Sequence, residues 1–393
     1  MKNFLSYSLP FLLAFMTGLS ASAQSPAAKS RPDNTIPRKQ FYQLCLSAVA
    51  KITAKTPQGP FFVDSYAVRA LCVAYDMTGN PKYLNACRQW CRRMMKYQEQ
   101  MTPAGAYYMN YNRRPGQVHG DWYVADSSSI AMALAATAVR CHGAARRSLL
   151  DSAERFASLV MKHYIDSSGG VSDGLWVRSH KAWWCSSALF GSLLFVLYAD
   201  TGKHRYLKAA LRVVNWMNKL NLNDQRFFPL SQQGPAMIMY VMECYSAGWP
   251  YIKKEPLLVK PALVQVNRCL HWICIQQQIP LSRRRWAVNK GWGMKYGGLP
   301  FHEYVFSRYL SIAEDVQLKK AADREMHRLA RVVFGDRRKW SQLSAFLMMS
   351  YAQLLSPGAI YRSCRAHPTA PAGIRRSATH RLGAGAFFRT SQP

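Results

Sequence analysis

The chain has 393 residues, 49% of them apolar, which is enough to build a sizeable core and unlike the composition of a disordered protein. Lysine and arginine number 52 against 20 aspartates and glutamates, giving a formal charge of +32. Such an excess attracts polyanions but specifies neither fold nor chemistry.

The N-terminal stretch combines Lys2, an apolar run around Leu9 to Met16 and the small triplet Ala21-Ser22-Ala23. This pattern reads as a secretory signal over residues 1–23, cut before Gln24. Its apolar part is shorter than the ~20 residues a membrane span needs. The mature chain is therefore expected to be exported, periplasmic or secreted, without stable membrane insertion. In that setting the positive charge favours an anionic oligosaccharide or polysaccharide as partner, and no nucleic acid.

Residues 24–37 read as a linker, after which apolar periodicity predicts helices near 38–54, 64–77, 81–98, 126–141, 147–164, 182–200, 204–220, 235–250, 256–275, 302–315, 317–333 and 340–355. No run alternates in the manner of a strand. An internal repeat matches Val73–Ala86 to Val196–Ala209, each joining two helical patterns through a Thr-Gly turn. The repeating unit is a helical hairpin. Its two arms differ: Cys185–Ala199 is apolar on all sides, whereas the helix from His204 carries Leu207, Ala210, Leu211, Val214 and Met217 on one stripe. The same contrast separates Ser129–Val139 from the segment with Leu149, Leu150, Ala153, Phe156, Ala157 and Val160. A helix apolar all round is buried and a striped one covers it, so two concentric layers are expected.

Short joints at 77–81, 141–147, 200–204 and 315–317 alternate with long ones near 54–64, 98–126, 164–182, 220–235 and 275–302. A ring of hairpins collects the long loops at one end of the inner helices, where function usually lies. Residues 38–355 thus read as an all-α ring of six helical hairpins, an (α/α)6 barrel. The tail 356–393 has arginines, no carboxylate and no periodicity, and reads as a basic, disordered segment. The ten cysteines show neither C-x-x-C nor zinc spacing, and several lie in helical patterns as small buried hydrophobes, so no disulfide framework and no metal site is expected.

Several long loops carry acids and aromatics. Asp126 opens the run Ala125-Asp126-Ser127-Ser128-Ser129 after Asp121, Trp122 and Tyr123, and Asp64 opens Asp64-Ser65-Tyr66. These features, with the hairpin ring and the signal, resemble the six-hairpin glycosidases, nearest to the unsaturated glucuronyl and rhamnogalacturonyl hydrolases. The Trp-Ala-Arg-Gly-Gln-Ala-Trp signature of those hydrolases is absent, and His180-Lys181-Ala182-Trp183-Trp184-Cys185-Ser186-Ser187 stands in its place. The resemblance implies a glycoside hydrolase acting on uronate-containing oligosaccharides, with no metal or organic cofactor and with Asp126 protonating a vinyl-ether double bond.

Each acid has two readings. As N-caps, Asp64 and Asp126 accept backbone N–H groups that a first helical turn leaves unpaired. As a catalytic pair, they face one another across the pocket floor, one carboxylic acid donating a proton and one carboxylate activating water or attacking. Asp121 is the reserve for either role. Substrate contacts are expected from Trp122, Tyr123, Arg113, Arg114, His119, Asp173, Trp176 and His302. Two further readings stay open: a polysaccharide lyase using Asn110 to Arg114, His119 and Tyr123, and a helical toroid that binds glycan or protein without turnover.

Overall fold

The computed structural model describes residues 35–55, 61–108, 122–174, 182–220, 234–277, 308, 312 and 342–356. The chain divides into residues 1–36 and 37–393, and everything below concerns the second unit. The described helices are α1 (Thr35–Thr53), α2 (Phe61–Thr78), α3 (Pro81–Gln98), α4 (Val124–Ala138), α5 (Gly143–His163), α6 (Trp184–Thr201), α7 (His204–Asn218), α8 (Gly234–Ile252), α9 (Pro256–Gln277) and α10 (Gln342–Leu355). Among the described residues, extended pairing is limited to two isolated bridges, Ile165 with Val171 and Ser172 with Ala182.

Helices α2, α4, α6 and α8 pack in succession as an inner ring, and α10 packs on α2. Tyr66 meets the edge of Phe346 at 4.8 Å between ring centres where α10 meets α2. Outside them, α3 packs on α2, α5 on α4, α7 on α6 and α9 on α8. This is the all-α, (α/α)6 barrel expected from the hairpin pattern. Arg308 and Ile312, in the stretch read as the fifth inner helix, are both buried. The rest of that stretch, the expected helix at 317–333, the signal and the tail lie outside the described residues.

The two layers follow from composition. Helix α6 buries nearly its whole circumference, from Trp184 through Leu197. It is long and apolar enough to cross a membrane, yet it is the core helix of the barrel. Helix α7 buries only Tyr206, Ala209, Ala210, Val213, Val214 and Met217. That stripe is rotated slightly from the expected one: Leu207 and Leu211 are half-buried at its margin, because Tyr206 takes the inward position. On α5, Ser152 replaces the expected Leu150 in the buried stripe. Its hydroxyl is satisfied by Gln98 Oε1 at 2.6 Å and by the Tyr107 hydroxyl at 2.7 Å, which removes the penalty of burying it.

The repeated turn is one structure used twice. Gly79 (φ 70°) and Gly202 (φ 69°) end α2 and α6 in the left-handed region. Their N–H groups reach Tyr75 O at 2.7 Å and Tyr198 O at 2.8 Å. In both, the preceding threonine hydroxyl bonds back one turn, Thr78 to Ala74 O at 2.7 Å and Thr201 to Leu197 O at 2.6 Å. Asn80 then caps α3 by accepting from Lys82 N at 3.0 Å, with Pro81 at the first helical position.

Candidate active site

The site is built at the N-terminal end of α4. Its cap residue, Tyr123, is extended (φ −127°) and makes no side-chain cap bond. Helix α4 starts at Val124, two residues earlier than the periodicity indicated, so Asp126 is not an N-cap but lies within the first turn. The Val124 N–H is taken instead by the Asp173 carbonyl, at 3.3 Å. The three serines that follow are all engaged with other groups. Ser127 donates to Tyr107 O (3.3 Å), Ser128 to Val124 O (2.6 Å), and Ser129 shares a hydrogen bond with Ser65 of α2 (2.7 Å). Among the described residues the Asp126 carboxyl has no hydrogen-bond donor, and its side chain is half-buried.

Asp173 arrives on residues 164–174 of the strap between α5 and α6, which are held by a series of hydrogen bonds. Asp166 Oδ1 accepts from Ser168 N at 2.8 Å and Gly170 N at 3.0 Å, closing a tight turn. Ser172 N then reaches Tyr164 O at 2.9 Å, Trp183 N reaches Val171 O at 2.7 Å, and the Val171 N–H donates to Ser187 Oγ at 2.9 Å. Held from both sides, the strap delivers the Asp173 carboxylate to Ser186 in the first turn of α6, whose hydroxyl donates to Asp173 Oδ1. Gly174 follows with φ 89°, and a Cβ there would lie 3.1 Å from the Trp122 ring. The Asp-Gly pair is thus a turn and a candidate site residue at once: the glycine takes the left-handed backbone, and the aspartate carboxylate meets Ser186.

The electrostatics of the pair follow from this placement. Loss of water pushes the Asp126 carboxyl up to about 8, and the nearby Asp173 charge adds to the rise. Asp173 is raised less, to about 6, because it is less completely cut off from water and the Ser186 hydroxyl stabilises its ionised form. Cys185, beside them on α6, has its thiol pushed well up by burial and then by the charges of Asp173 and Asp126. Two acids with different environments and different proton affinities are the arrangement in which one donates a proton and the other serves as base or nucleophile.

Asp64, the expected partner of Asp126, lies against Lys51 of α1. Asp64 is fully buried, with Lys51 Nζ 3.4 Å from each of its oxygens. The carboxylate acting on Asp126 is Asp173. Asp64 is instead turned toward Lys51 of α1, while its neighbour Ser65 is the residue of α2 that meets α4, at Ser129. Asp64 ties α1 to α2.

Trp122, expected to contact substrate, is enclosed. Its indole is completely buried, edge-on to Tyr164 at 5.2 Å between ring centres and beneath Gly174, so it is a floor under the site and not a surface for stacking on sugar. Tyr123 is half-buried beside Asp126. Asp121, Arg113, Arg114, His119, Trp176 and His302, together with the loop that carried the lyase reading, lie outside the described residues. Two site residues, Cys185 and Ser186, were missed from the sequence. The signal was present, since Ser65, Ser127 and Ser186 all lie near the starts of inner helices, but the bond that gives Ser186 its meaning spans 13 residues.

No protein-family model matches the sequence, and no curated protein does. Solved structures do match in fold, two glycoside hydrolases among them. A family 76 glycoside hydrolase (mannosidase) from Bacteroides thetaiotaomicron aligns with a TM-score of 0.56 at 12% identity, covering 81% of this chain and 98% of that one. A family 76 glycoside hydrolase from a bovine Bacteroides thetaiotaomicron strain aligns with a TM-score of 0.54 at 13% identity, covering 81% and 77%. The likeness shows a shared helical-barrel fold, and both neighbours are family 76 glycoside hydrolases.

Proposed function

We propose that this chain is an exported glycoside hydrolase in which Asp126 is the proton donor and Asp173 the carboxylate partner. The observation that carries the reading is the pair itself: two interacting carboxyl groups at the start of an inner helix, one without a donor among the described residues and one held by Ser186. Glycosidic cleavage needs a carboxylic acid beside the leaving oxygen and an ionised carboxylate that attacks or activates water. At neutral pH the pair holds one proton, on Asp126, as a donor requires. Such a pair titrates as a unit, so activity is highest between about 6 and about 8, falling below as Asp173 protonates and above as Asp126 ionises.

Support for a glycan substrate comes from the barrel shared with family 76 hydrolases, one of them a mannosidase. Support for an anionic glycan comes from the charge of +32, and support for export from the N-terminal signal pattern. The test is release of reducing ends from two oligosaccharide sets of equal length, uronate-bearing and neutral manno-configured. Faster release from the anionic set is expected, with loss of release in both Asp126→Asn and Asp173→Asn. Preference for the manno-configured set overturns the anionic assignment but keeps the hydrolase. A rise in absorbance from a new unsaturated uronate marks a lyase, and glycan binding without cleavage leaves a binding toroid.

A further inference from the structure

Resting on that reading of the acid pair, we infer that Ser186 is a positioning residue: its hydroxyl fixes the Asp173 carboxylate opposite Asp126 and favours Asp173 as the ionised member. The geometry that carries this is a clamp made by the first turn of α6. Adjacent serines grip the same strap, Ser187 through the Val171 N–H at 2.9 Å and Ser186 through Asp173 Oδ1. The strap is tied in turn to α4, because the Asp173 carbonyl accepts from Val124 N. One short segment therefore joins the starts of two neighbouring inner helices, with a carboxylate placed between them.

Ser186 is completely buried, so its hydroxyl has no water to turn to and its bond to Asp173 is the outlet for its proton. A hydroxyl donor stabilises a carboxylate over a carboxylic acid. Asp126, with no such donor among the described residues, is left as the proton carrier. The charged and titratable groups acting within this cluster are Asp126 from α4 and Cys185 from α6, and Cys185, its thiol raised by burial and by both acids, stays neutral. The Ser186 hydroxyl thus adds to an asymmetry that the deeper burial of Asp126 and the charge of Asp173 already favour.

The test uses the full mature chain labelled with carboxyl-¹³C aspartate, compared with Ser186→Ala and Ser186→Thr, and with Asp126→Asn and Asp173→Asn to assign the two signals. In Ser186→Ala the Asp173 titration midpoint is expected to rise by about one pH unit, the scale of a single lost charge-assisted hydrogen bond. Ser186→Thr restores it. On whichever oligosaccharide the wild type cleaves, the acidic limb of the rate profile moves up with that midpoint. In Ser186→Ala kcat falls about tenfold while KM stays within about twofold, because positioning of a reacting group is lost and not substrate binding. An unchanged Asp173 midpoint in Ser186→Ala overturns the proposal, whatever the activity. Full activity in Asp173→Asn sinks the catalytic reading of the pair instead, and with it any catalytic meaning of the clamp, even where the midpoint moves.

Discussion

At Asp126 a single carboxyl group is asked to keep its proton into the neutral range, and this has a stability cost of definite sign. A carboxyl raised in the folded protein binds more protons there than in the unfolded chain, so stability falls as pH climbs from about 4 to about 8. Asp126→Asn removes that term. The variant is expected to melt with the wild type near pH 4 and above it at pH 9, with a gap on the order of a few kcal/mol at most. Differential scanning calorimetry across pH checks it, and a gap that is independent of pH contradicts the raised carboxyl. Turnover moves the other way: loss of a positioned acid costs ~10²–10⁴ in rate, and the extra stability of an inactive variant separates catalysis from folding. Asp64→Asn, by contrast, strips the partner from Lys51 in a buried setting and is expected to destabilise the protein.

Among the elements, the repeated Thr-Gly turn is the clearest unit. Gly79 and Gly202 both hold a left-handed backbone that a side chain resists, although space for a methyl group exists at Gly202. Gly202→Ala is therefore expected to lose ~1 kcal/mol through backbone conformation alone, without a packing change. Urea unfolding reads the loss as a lower midpoint at constant slope. A change in slope instead indicates that the α6–α7 hairpin has loosened. The strap from 164 to 174 is the other decisive element, since its hydrogen bonds to α6 and α4 are what bring Asp173 to Asp126.

Across the whole barrel, charge is buried where the ring is tied together. Glu243 on α8 lies 2.6 Å from Arg69 of α2 and 3.9 Å from Arg308, and all three are almost completely buried. Arg140 forms a two-pronged pair with Asp76 where α2 and α4 end. Replacing Glu243 by Gln removes a buried counter-charge from two guanidinium groups in the core, with an expected loss of about 3–5 kcal/mol. A urea midpoint indistinguishable from wild type excludes this role for Glu243. The net positive surface bears on the substrate: binding of an anionic oligosaccharide is expected to weaken as ionic strength rises and screening sets in, while binding of a neutral one stays level. Isothermal titration at low and physiological salt distinguishes them.

The sequence by itself determined the hairpin ring, because an all-apolar helix beside a striped one can be satisfied only by inner and outer layers. It also placed the Gly79 and Gly202 turns, and it singled out Asp126 beside aromatics at the start of an inner helix. Such features are periodic or local, and adjacent residues encode them. The tertiary structure decided the partner of Asp126. Asp64 and Asp173 are both acids near long loops, and no local pattern ranks them. Lys51 of α1 holds Asp64, while the grip of Ser186 and Ser187 on the strap holds Asp173 where its charge acts on Asp126. Trp122 was misread for the same reason, since an aromatic beside a loop is floor or surface according to what covers it, and Gly174, 52 residues away, covers this one. Local pattern fixes which elements form, but contacts between residues distant in sequence fix which side chains meet, and the Asp126–Asp173 pair is made of such contacts.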